Sequence, residues 1–151
     1  MKKLKITLQI DFPSLNDVIN EAKKGGRGAA YASLKKNLTN KVKLLANNEY
    51  LSQKSPVFTK KVSFLFVWYS KDQMKDPDNI EFATKFILDG LKNLGVYEDD
   101  SYKLTSGIKL HAHRIDKKWS RVEIYIKEAD EELEEYFMDQ FQHFIKQNKT
   151  Q

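Results

Sequence analysis

Four aspartates stand at the two ends of one stretch of this 151-residue sequence, Asp76 and Asp78 at its start and Asp99 and Asp100 at its end. If the chain folds back on itself, one of the last two carboxylates can meet the first pair. Three carboxylates at one point form the oxygen-rich ligand set that Mg²⁺ favours. A metal ion held there could activate water and stabilise the charge on a phosphoryl group. The pattern indicates a candidate site for metal-assisted phosphoryl chemistry.

The same aspartates also have simpler structural interpretations. Asp76 precedes a proline and is typical of a helix cap, while Asp78 is typical of a first-turn acid that the helix dipole favours. Asp99 and Asp100 are typical of a solvated turn. The residues alone leave both interpretations open.

A strand and a helix are predicted around the first aspartate pair. Residues 60–70 are rich in β-branched and aromatic side chains, which predicts a central strand. After the aspartates, apolar residues recur at spacings of three and four, which predicts a helix that buries one face and ends at Gly95. These residues are Ile80, Ala83, Phe86, Ile87, Leu88, Leu91 and Leu94.

The remaining segments complete the expected order of elements. Residues 4–10 alternate as a half-buried strand, and Ser14 is a plausible cap for a short helix. A second helix is predicted from about residue 29 to 47, where Asn47 and Asn48 close it. Its marker residues are Tyr31, Leu34, Leu38, Val42 and Leu45. Residues 103–113 and 119–127 are predicted to form an antiparallel pair of strands.

The order β-α-α-β-α-β-β-α predicts an α/β (α+β) fold, in which helices pack on a mixed sheet. We expect one compact domain with a main body of residues 1–127. Residues 128–151 are expected to add an acidic amphipathic helix and a polar tail to the same domain, covering the sheet or a partner subunit.

Composition limits the kinds of site. The absence of cysteine excludes a disulfide scaffold and a thiolate zinc site, and three histidines leave little for an imidazole-only metal site. His111 and His113 could bind metal, but outward-facing strand residues are the simpler explanation. No stretch approaches twenty apolar residues, and no signal sequence precedes the first strand pattern. We therefore expect a cytoplasmic protein without membrane contact.

The net charge of +5 is distributed unevenly. Residues 1–70 carry 13 Lys/Arg against 4 Asp/Glu, whereas residues 128–151 carry 2 against 7. A basic first half suits a polyanion such as DNA, although solvated helix faces would explain the same lysines. The residues that we expect to contact DNA phosphates are Lys23, Lys24 and Arg27 in a flexible basic loop and Lys35 and Lys36 on the second helix.

The order of these motifs resembles that of the RusA-like Holliday-junction resolvases, small homodimeric endonucleases that are common in prophages. The motifs that carry the resemblance are Asp76-x-Asp78-Asn79, Lys85-x-x-x-Asp89-Gly90-Leu91, Leu94-Gly95-Val96 running into Asp99-Asp100, and Pro13-Ser14-Leu15-Asn16 after the first strand. The resemblance spans residues 4–126. It implies that residues 1–127 form an endonuclease domain that binds branched DNA as a homodimer and cuts four-way junctions with Mg²⁺ or Mn²⁺ in recombination and repair.

The resemblance also implies individual roles. Asp76, Asp78 and Asp100 match the metal-binding, catalytic aspartates, and Lys85 matches the catalytic lysine. The family usually places this lysine four residues after the second aspartate, where this chain has Phe82. A three-residue insertion would account for the shift, and on a continuous helix both positions face a similar side.

Two supporting residues and two alternatives complete the expectations. Asn79 and Asp99 would orient the metal ligands without being required ligands themselves. Lys85 could instead form only a surface pair with Asp89. The alternative to an endonuclease is a catalytically inert DNA-binding or regulatory relative in which the acids serve as helix caps.

Overall fold

The computed structural model describes residues 2–24, 28–54, 57–98 and 102–149, with side chains described up to residue 142. Its strands are β1 (Lys3–Leu8), β2 (Val62–Ser70), β3 (Lys109–Ile115) and β4 (Arg121–Glu128). They form a four-stranded sheet in the order β1-β4-β2-β3. Strand β4 runs antiparallel to β1 and β2, whereas β2 and β3 are parallel. The predicted mixed sheet and α+β class are confirmed.

The predicted antiparallel pairing of the last two strands is wrong. Strand β2 lies between β3 and β4 and bonds to both. Its apolar residues on both faces suit an interior position, as predicted. The start of the predicted 103–113 strand is instead helix α5 (Tyr102–Thr105). A turn follows at Gly107, where an added Cβ would lie 2.0 Å from the Val62 carbonyl oxygen.

Alternation along the strands buries one face of the sheet. The buried side chains of this face are Leu4, Ile6 and Leu8, then Phe64, Phe66 and Trp68, and finally Val122, Ile124 and Ile126. They join one hydrophobic core with residues of α2 (Ala29–Ser52) and α4 (Thr84–Leu94). We call this the closed face of the sheet and the opposite one the open face.

Helix α1 (Leu15–Lys24) begins as predicted. Ser14 caps it reciprocally, because the Asp17 backbone N–H donates to the Ser14 hydroxyl at 3.2 Å and the Ser14 N–H donates to the Asp17 carboxylate at 2.9 Å. The Ser14 hydroxyl also donates to this carboxylate at 2.8 Å, and the bonds from the Ser14 N–H and hydroxyl hold the pKa of Asp17 below its usual value. The predicted cap is confirmed.

Helix α2 is longer than predicted, because it continues past Asn47 and Asn48 to Ser52. Its last turns are held by side-chain contacts to β1: the Thr7 N–H donates to the Glu49 carboxylate at 2.8 Å, and Gln53 donates to the Lys5 carbonyl at 2.7 Å. These contacts also cover the exposed edge of the sheet. The buried residues of the helix are Thr39, Val42, Ala46 and Tyr50, whereas Leu45 is exposed.

The predicted helix after Asp78 forms in two parts, α3 (Pro77–Glu81) and α4, with a turn at Phe82 and Ala83. The predicted apolar face is confirmed, since its residues are buried or pack against the core. An added Cβ at Gly90 would lie 2.6 Å from Val42 Cγ1, so α4 packs closely against α2.

The acidic C-terminal helix is α6 (Glu131–Lys149). The Lys61 ammonium pairs with Glu134 at 3.1 Å and fixes its first turn beside the sheet. Within the described ranges, the helices lack the combined length and apolar content that crossing a bilayer would require. The assignment of residues 128–151 to the same domain stays a prediction.

Candidate functional site

The candidate site lies where β2 ends. The Asp116 N–H donates to the Ser70 carbonyl at 2.8 Å, which ties the ends of β2 and β3 together. Lys75 donates to the Phe12 carbonyl at 3.2 Å and lies 3.5 Å from the Asp11 carboxylate. The segment that leads into Asp76 is therefore fixed to the chain that follows β1.

Asp76 and Asp78 are both exposed at the start of α3. Asp76 occupies the N-cap position with an extended backbone, and proline follows it, so the predicted helix start is confirmed. Its side chain, however, makes no cap hydrogen bond. Within the described residues, neither carboxylate has an ion pair or side-chain hydrogen bond. The Asp76 side chain therefore does not cap the helix, although the helix begins at the predicted position.

Asp99 and Asp100 lie outside the described residues, so their predicted meeting with the first pair stays a prediction. The residues that flank them are described. Tyr97 forms an isolated β-bridge with Phe58, which precedes β2 in the sequence. Helix α5, which follows the aspartates, contacts β2. Strand β2 is roughly 26 Å long at 3.3 Å per residue. The described flanks of the second aspartate pair therefore lie toward the opposite end of the sheet from Asp76.

A complete three-ligand site is not found in the described parts of the chain, where no group of three or more His, Asp or Glu side chains has metal-binding geometry. Asp76 and Asp78 contribute two carboxylates of the kind that Mg²⁺ prefers. The proposed third ligand, Asp100, stands beyond the described residues. The carboxylates of Asp76 and Asp78 suit a hard cation such as Mg²⁺, and a complete metal site requires a further ligand.

Lys85 lies in the first turn of α4 and is exposed. The helix is interrupted at Phe82 and Ala83, although both residues keep right-handed helical backbone angles, so the predicted direction of Lys85 stays a prediction. Its alternative partner Asp89 contacts another residue, because the Lys35 ammonium lies 3.6 Å from the Asp89 carboxylate. The surface pair of Lys85 and Asp89 is not formed.

Asn79, the residue predicted to orient a carboxylate, is half-buried in α3 beside Asp78. Within the described residues its side chain makes no hydrogen bond that would fix a ligand. Its predicted role stays a prediction.

A cavity of about 210 Å³ borders this segment between the ends of β1, β2 and β4. Its charged walls come from Asp11, Asp72, Lys71, Lys75 and Arg121. Both lysines lie within five residues of Asp76. The lysines and Arg121 of this cavity could contact a DNA phosphate next to Asp76 and Asp78. The acids Asp11 and Asp72 reduce the positive charge of the cavity.

Arg121 was not identified from the sequence. Its guanidinium lies 3.7 Å from the Tyr69 ring centroid and 4.2 Å from that of Trp119, and it bonds to Asp116 at 2.8 Å. This hydrogen bond raises the pKa of Arg121 and lowers that of Asp116. Asp116 and Trp119 lie in the connection between β3 and β4, whereas Tyr69 lies on β2, so spacing in the sequence does not reveal the complete set of contacts.

The two strand histidines do not face outward as predicted. The Trp68 indole donates to His111 Nδ1 at 3.1 Å, and His113 Nε2 lies 2.8 Å from the Glu81 carboxylate. Burial lowers the pKa of His111, and the Glu81 carboxylate opposes that shift. His113 therefore links α3, which carries Asp78, to the edge strand β3.

The predicted DNA-contacting residues fall into two groups. The predicted loop position of Lys23 and Lys24 is wrong, because both lie in the last turn of α1, where Lys24 pairs with Glu21 at 3.3 Å. Arg27 lies outside the described residues. Lys35 and Lys36 line a cavity of about 330 Å³ between α2 and α4. The other residues that line it include Asn40, Lys92 and Asn93.

No protein-family model matches this chain, and no curated protein does. The resemblance to RusA-like resolvases therefore rests on its motifs alone.

Proposed function

We propose that this chain is a Mg²⁺-dependent, structure-selective endonuclease that hydrolyses phosphodiester bonds at four-way DNA junctions. One observation carries the proposal: Asp76 and Asp78 are exposed together beyond the end of the central strand, and no described residue engages their carboxylates. Acids without a bond to the fold are available for a ligand. Lys71 and Lys75 add positive charge nearby.

Such a pair of carboxylates could hold a Mg²⁺ ion that activates water and stabilises charge on the phosphoryl group. The residues would then divide the work. Asp76 and Asp78 supply the anionic ligands, and Lys85 contributes a positive charge near the scissile phosphate. Asp100 completes the ligand set in the resemblance, and its role needs a test of its own because its described neighbours lie toward the other end of the sheet.

The proposal includes a homodimer in the cytoplasm, where DNA is accessible. A four-way junction has two-fold symmetry, and resolving it requires two cuts in opposing strands. A two-fold dimer with one site in each subunit meets that requirement.

The decisive experiment measures cleavage of a synthetic four-way junction and of a linear duplex of the same sequence, with Mg²⁺ or with EDTA. We expect Mg²⁺-dependent, paired incisions in the junction. Asp76→Asn and Asp78→Asn should each lower the rate by about 10³-fold, because an amide cannot replace an anionic ligand. Asp100→Asn tests the third ligand separately: an equal loss would support Asp100 as a ligand, whereas a wild-type rate would remove it from the ligand set. Asp99→Asn should have a smaller effect.

A matched control tests whether the loss of any nearby acidic side chain would lower cleavage. Asp72 is a nearby exposed acid whose carboxylate accepts the Met74 N–H at 2.9 Å, so Asp72→Asn should retain cleavage. Equal cleavage by wild type and all aspartate variants would reject the site. Equal cleavage of junction and duplex would leave a general nuclease in place of a resolvase.

DNA binding has its own measurement. Charge reversal at Lys23, Lys24 and Arg27, or at Lys35 and Lys36, should weaken junction binding. The slope of log affinity against log salt concentration should fall by about 0.9 for each phosphate that the variant no longer neutralises. Reversal at Lys43, an exposed lysine farther along α2, serves as the control. An unchanged slope in both variants would place the DNA surface elsewhere.

A further inference from the structure

Helix α3, which follows Asp76 and contains Asp78, depends on contacts with the rest of the chain. It has five residues and buries none of them. A helix of this length is not stable by itself in water, so other elements must hold it. Among the described residues, Ile80 packs against the core, Glu81 contacts His113, and α1 contacts the helix. The directions of the two aspartate carboxylates therefore depend on these contacts.

The contact between Glu81 and His113 is the directional one of the set. His113 Nε2 lies 2.8 Å from a Glu81 carboxylate oxygen, and the side chains of His113 and Glu81 are 26 and 33 % exposed. A hydrogen bond constrains the direction in which its two groups approach, whereas the apolar packing of Ile80 does not. The Glu81–His113 bond can therefore fix the rotation of α3 about its axis.

His113 is itself held by the sheet. It lies on β3 opposite Trp68 of β2, and the two rings are stacked with their centroids 6.5 Å apart. Trp68 is buried, and its indole N–H donates to His111 Nδ1 at 3.1 Å. The imidazole of His113 thus packs on a side chain that the sheet already fixes. Through this imidazole, Glu81 is tied to the sheet.

Glu81 is close enough to the aspartates to transmit a displacement to them. Asp78 and Glu81 are three residues apart, so they lie on the same side of the helix. In this turn the Phe82 N–H donates to the Asp78 carbonyl at 3.3 Å, and the Ile80 N–H donates to the Asp76 carbonyl at 3.2 Å. A change in the position of Glu81 would therefore move both aspartates.

We propose that the Glu81–His113 hydrogen bond positions α3 so that the carboxylates of Asp76 and Asp78 can bind one metal ion. Glu81 and His113 act through the aspartates and are not ligands, because no group of three acids or histidines in the described part of the chain has metal-binding geometry. Replacing positioning residues of this kind typically weakens metal binding by about 10–100-fold. The inference rests on the metal site of the proposed function, and its main test measures metal binding without DNA.

The first test measures Mn²⁺ binding to the full chain by electron paramagnetic resonance, which detects the free ion. His113→Leu should weaken Mn²⁺ binding by about tenfold or more, because Glu81 then lacks its partner. His113→Gln should restore most of the affinity, since its amide N–H can donate to the same carboxylate. A general loss of packing would affect both variants, so the difference between them isolates the hydrogen bond.

A second variant removes the other partner. Glu81→Ala should weaken Mn²⁺ binding as much as His113→Leu does. The double variant should bind no more weakly than either single variant, because both substitutions break one and the same contact. Circular dichroism melting verifies that each variant is folded at the temperature of the measurement.

Lys61→Met is the matched control. Lys61 and Glu134 form another half-buried ion pair, with side chains that are 35 and 22 % exposed. This pair lies near the start of β2, whereas the aspartates lie beyond its end. Breaking it should leave the affinity for Mn²⁺ unchanged.

Hydrogen exchange tests the position of α3 without metal. In His113→Leu the amides of Ile80 and Phe82 should exchange faster than in wild type, because α3 is held less firmly. The amide of Val67, in the interior strand β2, should keep its rate.

Junction cleavage gives a further distinction between positioning and ligand residues. A higher Mg²⁺ concentration should restore the cleavage rate of His113→Leu, whose ligands are intact. It should not restore the rate of Asp76→Asn, which lacks a ligand.

Equal Mn²⁺ affinity of wild type and His113→Leu would overturn the inference, and so would an equal loss in His113→Leu and His113→Gln. A wild type that binds no Mn²⁺, or whose binding survives the combined Asp76→Asn and Asp78→Asn substitutions, would overturn the inference together with the proposed metal site. Mn²⁺ binding that depends on His113 and both aspartates, without cleavage of junctions, would contradict the proposed function alone.

Discussion

The two ends of the α3–α4 segment differ in how their polar groups are used. At the C-terminal end of the segment, Gly95 adopts a left-handed conformation with φ of 91°. Its N–H donates to the Lys92 carbonyl at 2.9 Å, and the Val96 N–H donates to the Leu91 carbonyl at 3.1 Å. This is the Schellman pattern of helix termination. Val96 and Leu91 are both fully buried, so this end belongs to the core.

At the start of the segment, the Asp76 and Asp78 side chains contribute little to the fold, although Ile80 packs against the core and Glu81 contacts His113. Helix α3 buries none of its residues, and Asp76 forms no cap bond with its side chain. Its backbone still begins the helix, because the Ile80 N–H donates to the Asp76 carbonyl at 3.2 Å. The comparison indicates that stability resides at the C-terminal end of the segment, whereas the N-terminal carboxylates remain available for chemistry.

The largest expected effect on stability comes from the C-terminal end. Leu91→Ala should lower the free energy of unfolding by about 3 kcal/mol, because it removes fully buried apolar volume and leaves a cavity. The melting temperature should fall by roughly 9 °C, as measured by circular dichroism. Leu44→Ala, at an exposed position, should change it little. A loss below about 1 kcal/mol would contradict the assignment of this end to the core.

The next prediction concerns junction cleavage and the N-terminal end of the segment. Lys85→Met should lower junction cleavage by about 10²-fold, since it removes a cation from the neighbourhood of the phosphate while keeping the length of the side chain. The melting temperature should stay within about 2 °C of wild type, because Lys85 is exposed. Lys43→Met is the control. If both variants cut at the wild-type rate, Lys85 has no role in catalysis.

Local sequence patterns predicted most of the fold. Periodicity identified the strands and the buried helix face, and Ser14 and Gly95 were correctly identified as a cap and a stop because both act through neighbouring residues. Pairing of β2 with β3 was missed, since it depends on contacts across 45 residues or more. The extension of α2 was missed for a similar reason: its last turns bond to β1, and tertiary contacts override the local signal of two asparagines.

The candidate site was predicted less completely. The sequence identified Asp76 and Asp78, whose spacing and place before a helix are local. It did not identify Arg121, which is held by Tyr69, Trp119 and Asp116. The turn at Phe82 that separates Lys85 from α3 was also missed, because the apolar spacing continues across it.

A smaller effect on stability tests the termination of α4 at Gly95. Gly95→Ala should cost about 1 kcal/mol, because an L-residue resists the left-handed conformation. An added Cβ would meet no atom within 4 Å, so the cost reflects backbone conformation and not crowding. Gly95→Asn should cost less, since asparagine tolerates this conformation better. Urea denaturation measures both, and equal stability of all three proteins would show that the turn does not require glycine.

The smallest expected effect is the sharpest test of the comparison. Asp76→Ala should change the free energy of unfolding by no more than about 0.5 kcal/mol, because its side chain makes no cap hydrogen bond that the substitution could remove. Ser14→Ala is the matched control: this cap is bonded, at 3.2 Å to the Asp17 N–H, and its removal should cost about 1 kcal/mol. Both variants are compared by urea denaturation at neutral pH and in the absence of divalent ions, so that metal binding cannot contribute. If Asp76→Ala loses as much stability as Ser14→Ala, Asp76 acts as a structural cap, and the two ends of the segment do not differ. If it retains stability but loses cleavage, the carboxylate serves the reaction and not the fold.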